Sequence, residues 1–438
     1  MDQGQRRALK WLCAAVFTVA LSYSLYFRIP PAVDARAYDT IGWNIAQGLG
    51  YHEYLNVAPE RDQAIIRVGP GYEFFLAFFY FIFGHRLVVI WVVQALLLAS
   101  SALLTLMISR EILKDRWSYK AGLVAFLLIG FSPDLITLQG MLMTEMLSVF
   151  LVVLAVFLFF KYYNSKEKSV RLVVAMALSF SGVVLVRTPT VLLALPIIWY
   201  LARVNWRHLL IFCFFAGVLF IPWTIRNYYQ YRIFMPTNAA LGYNILTGNH
   251  HGSTGEQAGI TLDDYIAKYG YVKTNQIATR EALKFILRNP LEFLAITLKR
   301  ISIYFSFARP TGFWFHLHGL SKAVTLASSC FYSIVLFIFG FLGILQYKRF
   351  YGEDRKRVLL FLSLLLMMPL SVIGLVVETR YRMPAYPFFA VFAAFGIVGI
   401  TEKISWKQLA YIAIVLFANT GIDAYRNIAR IFDKIYHL

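Results

Sequence analysis

The segment Pro31-Ala32-Val33-Asp34-Ala35-Arg36-Ala37-Tyr38 directly follows the first long apolar stretch of the chain. It places the carboxylate of Asp34 where a membrane helix is expected to meet water. A long run of mixed polar and aromatic residues comes next, unlike the very apolar remainder of the sequence. Ionisable residues at the edge of a membrane span are costly and therefore mark functional candidates. Asp34 is thus the first candidate for proton chemistry.

The composition indicates that most of the chain lies in lipid. Of 438 residues, 59% are hydrophobic and 15% are charged, whereas soluble domains contain about 25% charged residues. The net charge of +19 could indicate nucleic-acid binding. The basic residues, however, occupy short loops between apolar runs, which is the pattern that sets membrane topology. We therefore predict no nucleic-acid partner. The three cysteines lie in apolar runs, so neither disulfides nor cysteine metal sites are expected.

The apolar runs predict an all-α polytopic membrane protein. A spanning helix needs about 20 mainly apolar residues. On this basis we expect about eleven transmembrane helices, in a range of roughly ten to thirteen, within a single membrane domain over 1–438. The predicted spans are 11–29, 86–109, 119–132, 143–162, 171–186, 190–202, 208–224, 323–346, 357–376, 383–400 and 408–423.

The lysines and arginines of the short loops predict the orientation, because cytoplasmic loops are enriched in these residues. If the helices alternate, the basic loops share one side and the N-terminus is cytoplasmic. Two long segments, 30–85 and 225–322, then fall on the external face. In the first segment, 36–49 and 72–83 are expected to form short interfacial helices. In the second segment, 279–305 is expected to form an amphipathic helix that lies along the interface.

Further polar and ionisable residues lie at the external ends of the predicted spans. Their arginines carry positive charge to a face where topology alone would not place it. Guanidinium groups bind phosphate oxygens in bidentate fashion, which favours an external anionic head group such as a lipid phosphate. A carboxylate nearby could then take a proton from an attacking hydroxyl. Besides Asp34, the candidates are Tyr38, Arg67, Glu145, Arg187, Arg226, Asn227, Arg380, Tyr381 and Arg382.

Purely structural roles compete with these functional ones. An interfacial arginine can simply extend its side chain to lipid phosphates. Glu145 could stabilise a helix N-terminus through the helix dipole, and Asp34 could cap the helix that begins near Ala35. We predict no metal site, because the available histidines lack paired carboxylates at ligand spacing. These histidines are His250, His251, His316 and His318.

A series of short motifs runs along nearly the whole chain. They are Asp34-x-x-x-Tyr38, Ala46-Gln47-Gly48-Leu49-Gly50-Tyr51, Gly69-Pro70-Gly71-Tyr72, Ile82-Phe83-Gly84, Leu142-Met143-Thr144-Glu145, Val186-Arg187-Thr188-Pro189, Pro222-Trp223-Thr224-Ile225-Arg226-Asn227, Asn244-Ile245-Leu246-Thr247-Gly248-Asn249 and Thr379-Arg380-Tyr381-Arg382-Met383-Pro384. Their order resembles that of polytopic glycosyltransferases of the GT-C superfamily. The chain looks most like the bacterial branch related to protein O-mannosyltransferases and to the lipid A aminoarabinose transferase.

The resemblance implies a GT-C fold and a polyprenyl-phosphate sugar as donor, with Asp34 as the catalytic base. The candidates to hold the donor phosphate are Arg67, Arg187, Arg226, Arg380 and Arg382. The candidates to contact the sugar or order the site are Tyr38, Glu145, Asn227 and Tyr381. Two positions depart from the pattern of relatives. Ala35 follows the catalytic aspartate where many have a second acid, and Gly69 precedes Pro70 where some have lysine.

The expected chemistry is a single displacement with inversion at the anomeric carbon, because a sugar phosphate ester already carries a good leaving group. Neither a cofactor nor an obligatory metal is expected. The resemblance implies a hexosyl- or pentosyltransferase of the bacterial inner membrane with a periplasmic active site. Its acceptor would be a lipid, glycan or protein. Two other functions stay open, namely a transporter or flippase for a lipid-linked saccharide and an O-antigen ligase or polymerase.

Overall fold

The computed structural model describes residues 2–113, 118–257, 260–309, 315–346, 352–399 and 406–429, and in these ranges it contains helices and no β-strand. The α-helices are α1 Gln3–Phe27, α2 Asp34–Ala46, α3 Pro70–Phe83, α4 Leu87–Ile112, α5 Ser118–Gly130, α6 Pro133–Gln139, α7 Thr144–Asn164, α8 Val170–Val186, α9 Ala194–Val204, α10 Trp206–Val218, α11 Ile221–Tyr231, α12 Leu241–Gly248, α13 Asp263–Arg288, α14 Pro290–Phe305, α15 Gly319–Leu345, α16 Gly352–Ile373, α17 Tyr386–Gly399 and α18 Trp406–Arg426. Short 3₁₀ segments cover Pro59–Arg61, Gln63–Ile66, Thr188–Leu193 and Thr379–Ala385.

The prediction of an all-α, multi-pass membrane protein is confirmed. Within the described residues, six helices are long and apolar enough to span a membrane, and the count reaches eight if each of two bent helix pairs is one span. The predicted count of eleven is not confirmed. Two of the predicted spans, 171–186 and 190–202, correspond to apolar helices of at most 17 residues. The predicted span 408–423 corresponds to α18, which is not among the six.

Capping residues and prolines determine where the bent pairs break. The Ser132 side chain accepts a hydrogen bond from the Leu135 amide, and Pro133 occupies the first turn of α6. Proline suits this position because the first amides of a helix have no partner within it. α5 and α6 therefore meet at an angle of 49°, and α10 and α11 meet at 45° with Pro222 near the break.

The core forms where α4, α5, α7, α8, α15 and α17 pack together. Every residue of α17 from Tyr386 to Gly396 is buried. Gly343 on α15 and Gly396 on α17 let these two backbones approach so closely that a Cβ at either position would overlap the opposite helix. Small residues commonly allow such close packing between membrane helices.

A second, smaller core lies where the two long segments meet. The amide of Ala239 donates to the carbonyl of Ile65 at 2.9 Å, and the Asn238 side chain donates to the carbonyls of Arg67 and Val68. The Tyr51 and Trp223 rings also meet, with centroids 4.7 Å apart. The segment 225–322 therefore packs directly over the first loop.

The predicted helices of both long segments are present, with one difference. The predicted helices 36–49 and 72–83 correspond to α2 and α3. The predicted single helix 279–305 is divided at Asn289, because Pro290 starts a new helix, α14. Leu287 and Leu291, on either side of this division, are 80% and 82% exposed. Such an exposed apolar stripe fits the predicted interfacial position, which stays a prediction.

Candidate active site

Asp34 is the first residue of α2, and its side chain lies between two arginines. Oδ2 is 3.0 Å from Nη2 of Arg380, and Oδ1 is 3.6 Å from Nη1 of Arg67. The carboxylate is 24% exposed, so an incoming group can reach it. The preceding residue, Val33, has a φ of 51°, which is strained for a β-branched side chain. Such strain clusters at functional sites.

Arg380 joins Asp34 to two further carboxylates. Its Nε lies 3.0 Å from Oε2 of Glu378 and 3.9 Å from Oε1 of Glu145. Glu145, at the first turn of α7, also binds Nη1 of Arg187 at 2.8 Å. The Tyr381 ring lies beneath both guanidinium groups, 5.1 Å from that of Arg187 and 5.6 Å from that of Arg380. The structure therefore brings the predicted residues Asp34, Glu145, Arg187, Arg380 and Tyr381 into one cluster.

Arg67 completes this cluster from the first loop. It forms a bidentate pair with Glu53, with N···O distances of 2.9 and 2.6 Å. Two glycines fix its position, because Gly69 and Gly71 pack directly on the backbone of Leu185 at the end of α8. A Cβ on Gly71 would lie 2.9 Å from the Leu185 carbonyl carbon. This close approach places Arg67 next to the segment that carries Arg187.

Tyr38 and Glu73 lie buried behind Asp34. The Tyr38 ring meets the Tyr72 ring edge-on at 5.6 Å. Burial, followed by the negative charge of Asp34, raises the pKa of Tyr38 well above its usual value, so the phenol keeps its proton. Burial also raises the pKa of the Glu73 carboxyl to about 8, although the Tyr51 hydroxyl and the Arg67 charge lower it. Glu73 is therefore mostly neutral at pH 7.

Arg226 and Asn227 lie beside this cluster, in the middle of α11. The Arg226 guanidinium is 5.0 Å from the Trp223 ring, 5.4 Å from Tyr231 and 5.7 Å from Tyr51. It also donates to Oδ1 of Asn227 at 3.0 Å. In the part of the chain that the structure describes, Arg226 forms no ion pair with a carboxylate. The Asn227 side-chain amide in turn donates a hydrogen bond to the carbonyl of Met235 at 2.8 Å.

Arg382 lies outside the cluster. Its side chain points into the helix core, where Nε donates to the Tyr386 hydroxyl at 3.0 Å and Nη1 donates to the Ser306 carbonyl at 2.9 Å. Nη2 donates to the Ser333 hydroxyl at 3.0 Å. The side chain is fully buried. Arg382 is thus separated from Asp34 although its neighbour Arg380 contacts that residue.

Sequence reasoning missed three acids of this site, namely Glu53, Glu73 and Glu378. Glu73 had a usable signal, because it is an ionisable residue within the apolar run that begins at Gly71. Glu53 has no comparable signal, since it lies in a polar loop. Its role depends on the fold of that loop, which brings it to Arg67.

The described residues contain no group of three or more His, Cys, Asp or Glu side chains placed to hold a metal ion. Three of the four histidines considered above have protein partners instead, and His250 donates to the carbonyl of His251 at 2.8 Å. His251 pairs with Glu292 at 2.9 Å, and His316 shares a hydrogen bond with the Tyr23 hydroxyl at 2.9 Å. The expectation that no metal is required stays a prediction.

Solved structures share this architecture. AglB, an archaeal oligosaccharyltransferase from Archaeoglobus fulgidus solved with an inhibitory peptide and a dolichol-phosphate, superposes with a TM-score of 0.51 at 15% identity, over 94% of this chain and 54% of its own. An oligosaccharyltransferase from the same organism in its apo form gives 0.50 at 14% identity, over 93% and 54%. The chain has the GT-C fold.

The fold that the GT-C resemblance implied is thereby confirmed. ArnT from Cupriavidus metallidurans, bound to undecaprenyl phosphate, matches with a TM-score of 0.48 at 14% identity, over 95% of this chain and 64% of its own. The chain spans between half and two thirds of the length of these GT-C structures. No protein-family model matches the sequence, and no curated protein does either.

Proposed function

We propose that this protein transfers a sugar from a polyprenyl-phosphate donor to an acceptor hydroxyl at the external face of the membrane. The observation that carries the proposal is the partly exposed carboxylate of Asp34, held 3.0 Å from Arg380 within a group of arginines. This arrangement joins a base to cations that can stabilise a departing phosphate. AglB, which has the same fold, was solved with a dolichol-phosphate.

In the proposed reaction, Asp34 takes the proton of the acceptor hydroxyl as its oxygen attacks the anomeric carbon. The new glycosidic bond forms while the bond from that carbon to the phosphate oxygen breaks, and the polyprenyl phosphate leaves with the electron pair. Attack from the face opposite the phosphate inverts the anomeric centre. No covalent enzyme intermediate and no redox step is needed.

The ion pairs of the site favour Arg226 as the main phosphate ligand. Arg67 already pairs with Glu53, Arg187 with Glu145, and Arg380 with Asp34 and Glu378. A phosphate that bound these arginines would compete with a carboxylate that is already in place. Arg226 instead lies among aromatic rings, so a phosphate would give its charge an anionic partner without displacing one. Arg380 stays a secondary candidate, because a phosphate there would compete with Asp34 and Glu378.

The test replaces Asp34 and Arg226 separately in purified protein supplied with a polyprenyl-phosphate sugar. Asp34→Asn should lower kcat by about 10²–10⁴-fold, the usual range for loss of a general base, and should leave donor binding intact. Arg226→Ala should instead raise the donor Kd by about tenfold or more, as expected for a charge-assisted phosphate contact.

Matched controls lie on α2. Asp39 is an acid on the same helix that binds the Tyr80 hydroxyl and His85, and Arg36 is an exposed arginine. Asp39→Asn and Arg36→Ala should keep near-normal transfer. Undiminished transfer by Asp34→Asn would refute its role as the base. Movement of the intact donor across the membrane without release of polyprenyl phosphate would refute the transferase function and favour a flippase.

A further inference from the structure

Arg380 and Arg382 lie in the same short 3₁₀ segment, Thr379–Ala385, yet their side chains point in different directions. Arg380 reaches Asp34 at 3.0 Å. Arg382 reaches into the helix core and contacts no residue of the Asp34 cluster among its described hydrogen bonds. The segment therefore contacts the Asp34 cluster through Arg380 and the helix core through Arg382.

On the core side of this segment, a chain of hydrogen bonds leads from Arg382 to a buried acid, Asp134. The Arg382 guanidinium donates to the Tyr386 hydroxyl at 3.0 Å, and that hydroxyl donates to Oδ2 of Asp134 at 2.6 Å. The other carboxylate oxygen of Asp134 accepts a hydrogen bond from the Ser329 hydroxyl. Asp134 and Arg382 are both fully buried. We refer to Asp134, Tyr386 and Arg382 as the buried brace.

The brace connects elements that are far apart in the chain. Asp134 lies in the first turn of α6, just after the 49° bend. Ser329 and Ser333 lie on α15 and bind opposite ends of the brace. A buried charge that loses its partner is strongly destabilising, so the hydrogen bonds of such a network fix its geometry. The position of Arg382 is thus determined by α15 and, through Tyr386 and Asp134, by α6.

We propose that the buried brace is a set of positioning residues that places Arg380 against Asp34. The inference rests on the proposed function only for its effect on sugar transfer, since the placement itself is a property of the fold. Only Tyr381 separates Arg380 from Arg382, so a shift of Arg382 moves the Arg380 backbone with it. Small errors in the placement of charged groups lower reaction rates strongly.

The experiment removes the central hydroxyl with Tyr386→Phe and measures Asp34 directly. A carbodiimide labels accessible carboxyl groups, and mass spectrometry reports the fraction of Asp34 that has reacted. We expect labelling of Asp34 to rise by about threefold or more in Tyr386→Phe, because Arg380 no longer covers the carboxylate. Tyr162→Phe is the control, since Tyr162 is also fully buried and shares a hydrogen bond with His208 at 2.7 Å. It should leave the labelling unchanged.

A double-mutant cycle separates positioning from general loosening of the fold. In the Arg380→Ala background, Tyr386→Phe should add nothing further to Asp34 labelling, because coupled residues are non-additive. An equal increase in Asp34 labelling in both backgrounds would refute the positioning role of the buried brace. If Tyr386→Phe fails to fold, Arg382→Lys takes its place, because lysine keeps the charge but cannot make the same set of hydrogen bonds.

Binding of polyprenyl phosphate by the same variants is a second readout. Tyr386→Phe should weaken binding of a short-chain polyprenyl phosphate through Arg380, and this weakening should vanish in the Arg380→Ala background. If the unmodified protein binds no polyprenyl phosphate, the proposed function fails, and the labelling cycle still decides the brace.

Discussion

Glu73 shows at the scale of one residue how burial changes an acid. It lies in the first turn of α3, fully buried, next to the Tyr51 hydroxyl and close to the charges of Arg67 and Glu53. Burial disfavours the carboxylate, so the group keeps its proton up to a pKa of about 8. The acid therefore adds no net charge behind Asp34 at neutral pH.

This raised pKa predicts that the protein loses stability as pH rises. Glu73 ionises near 4.5 when exposed and near 8 when folded, so its stabilising contribution is complete below pH 4.5 and is lost as pH rises to 8. The linked change is at most about 5 kcal/mol. Glu73→Gln should flatten the decline of the thermal midpoint in detergent between pH 5 and pH 8.5. Glu60→Gln, at an exposed residue of the 3₁₀ segment Pro59–Arg61, should follow the unmodified protein. Identical slopes for all three would contradict the assignment.

At the scale of elements, the contact between the start of α3 and the end of α8 sets the spacing of the site. Gly69 and Gly71 touch the Leu185 backbone, and this contact brings the Arg67 loop to the Arg187 turn. The motif Gly69-Pro70-Gly71-Tyr72 was noted in the sequence for its resemblance to relatives. The reason for its two glycines, which is the close contact with the end of α8, is apparent only in the folded structure.

Gly71→Ala is therefore expected to disturb both stability and transfer. The added Cβ would meet Val186 and Leu185 at 2.9 Å, which forces the two backbones apart at a cost of about 1–3 kcal/mol. Gly217→Ala is the matched control, because nothing lies within 4 Å of a Cβ at that position of α10. We expect a lower thermal midpoint and reduced kcat for Gly71→Ala alone. Equal behaviour of the two variants would show that the close approach is unimportant.

Helix breaks explain why the predicted span count differs from the structure. An apolar run such as 119–132 predicts a membrane segment but does not reveal that α5 bends by 49° into α6 at Ser132 and Pro133. The runs 171–186 and 190–202 predict two separate membrane spans. They form shorter helices, with Arg187 at the turn between them. Apolar content is readable along the chain, whereas the path of a short helix depends on its neighbours.

At the scale of the whole molecule, the ionised cluster around Asp34 and a basic loop lie at opposite ends of the helices. Asp34, Glu145, Arg187 and Arg380 meet at one end. The loop between α7 and α8, with Lys166 and Lys168, lies at the other end, where Asn164 binds Glu111 at the end of α4. Short basic loops are typical of the cytoplasmic side. We therefore expect the Asp34 end to face outward.

Cysteine labelling in intact cells tests this orientation. In a background with Cys13, Cys213 and Cys330 replaced, Asn56→Cys should react with a membrane-impermeant maleimide, and Lys166→Cys should react only after the membrane is opened. Both positions are exposed, so accessibility within the fold does not bias the comparison. The reverse pattern would place the site in the cytoplasm and would remove the proposed periplasmic reaction.

Local features of the sequence were enough to predict the all-α membrane class, the GT-C resemblance and most of the residues around Asp34. Apolar runs and ionisable residues at their ends are local features, so they can be read without coordinates. Where each arginine side chain lies was apparent only in the folded structure. Arg380 and Arg382 are alike in sequence, but one faces Asp34 and the other faces Tyr386. Part of each arginine's surroundings comes from distant stretches of the chain, Asp34 and Glu145 for Arg380 and Ser306 for Arg382, and burial and ion pairing depend on those contacts.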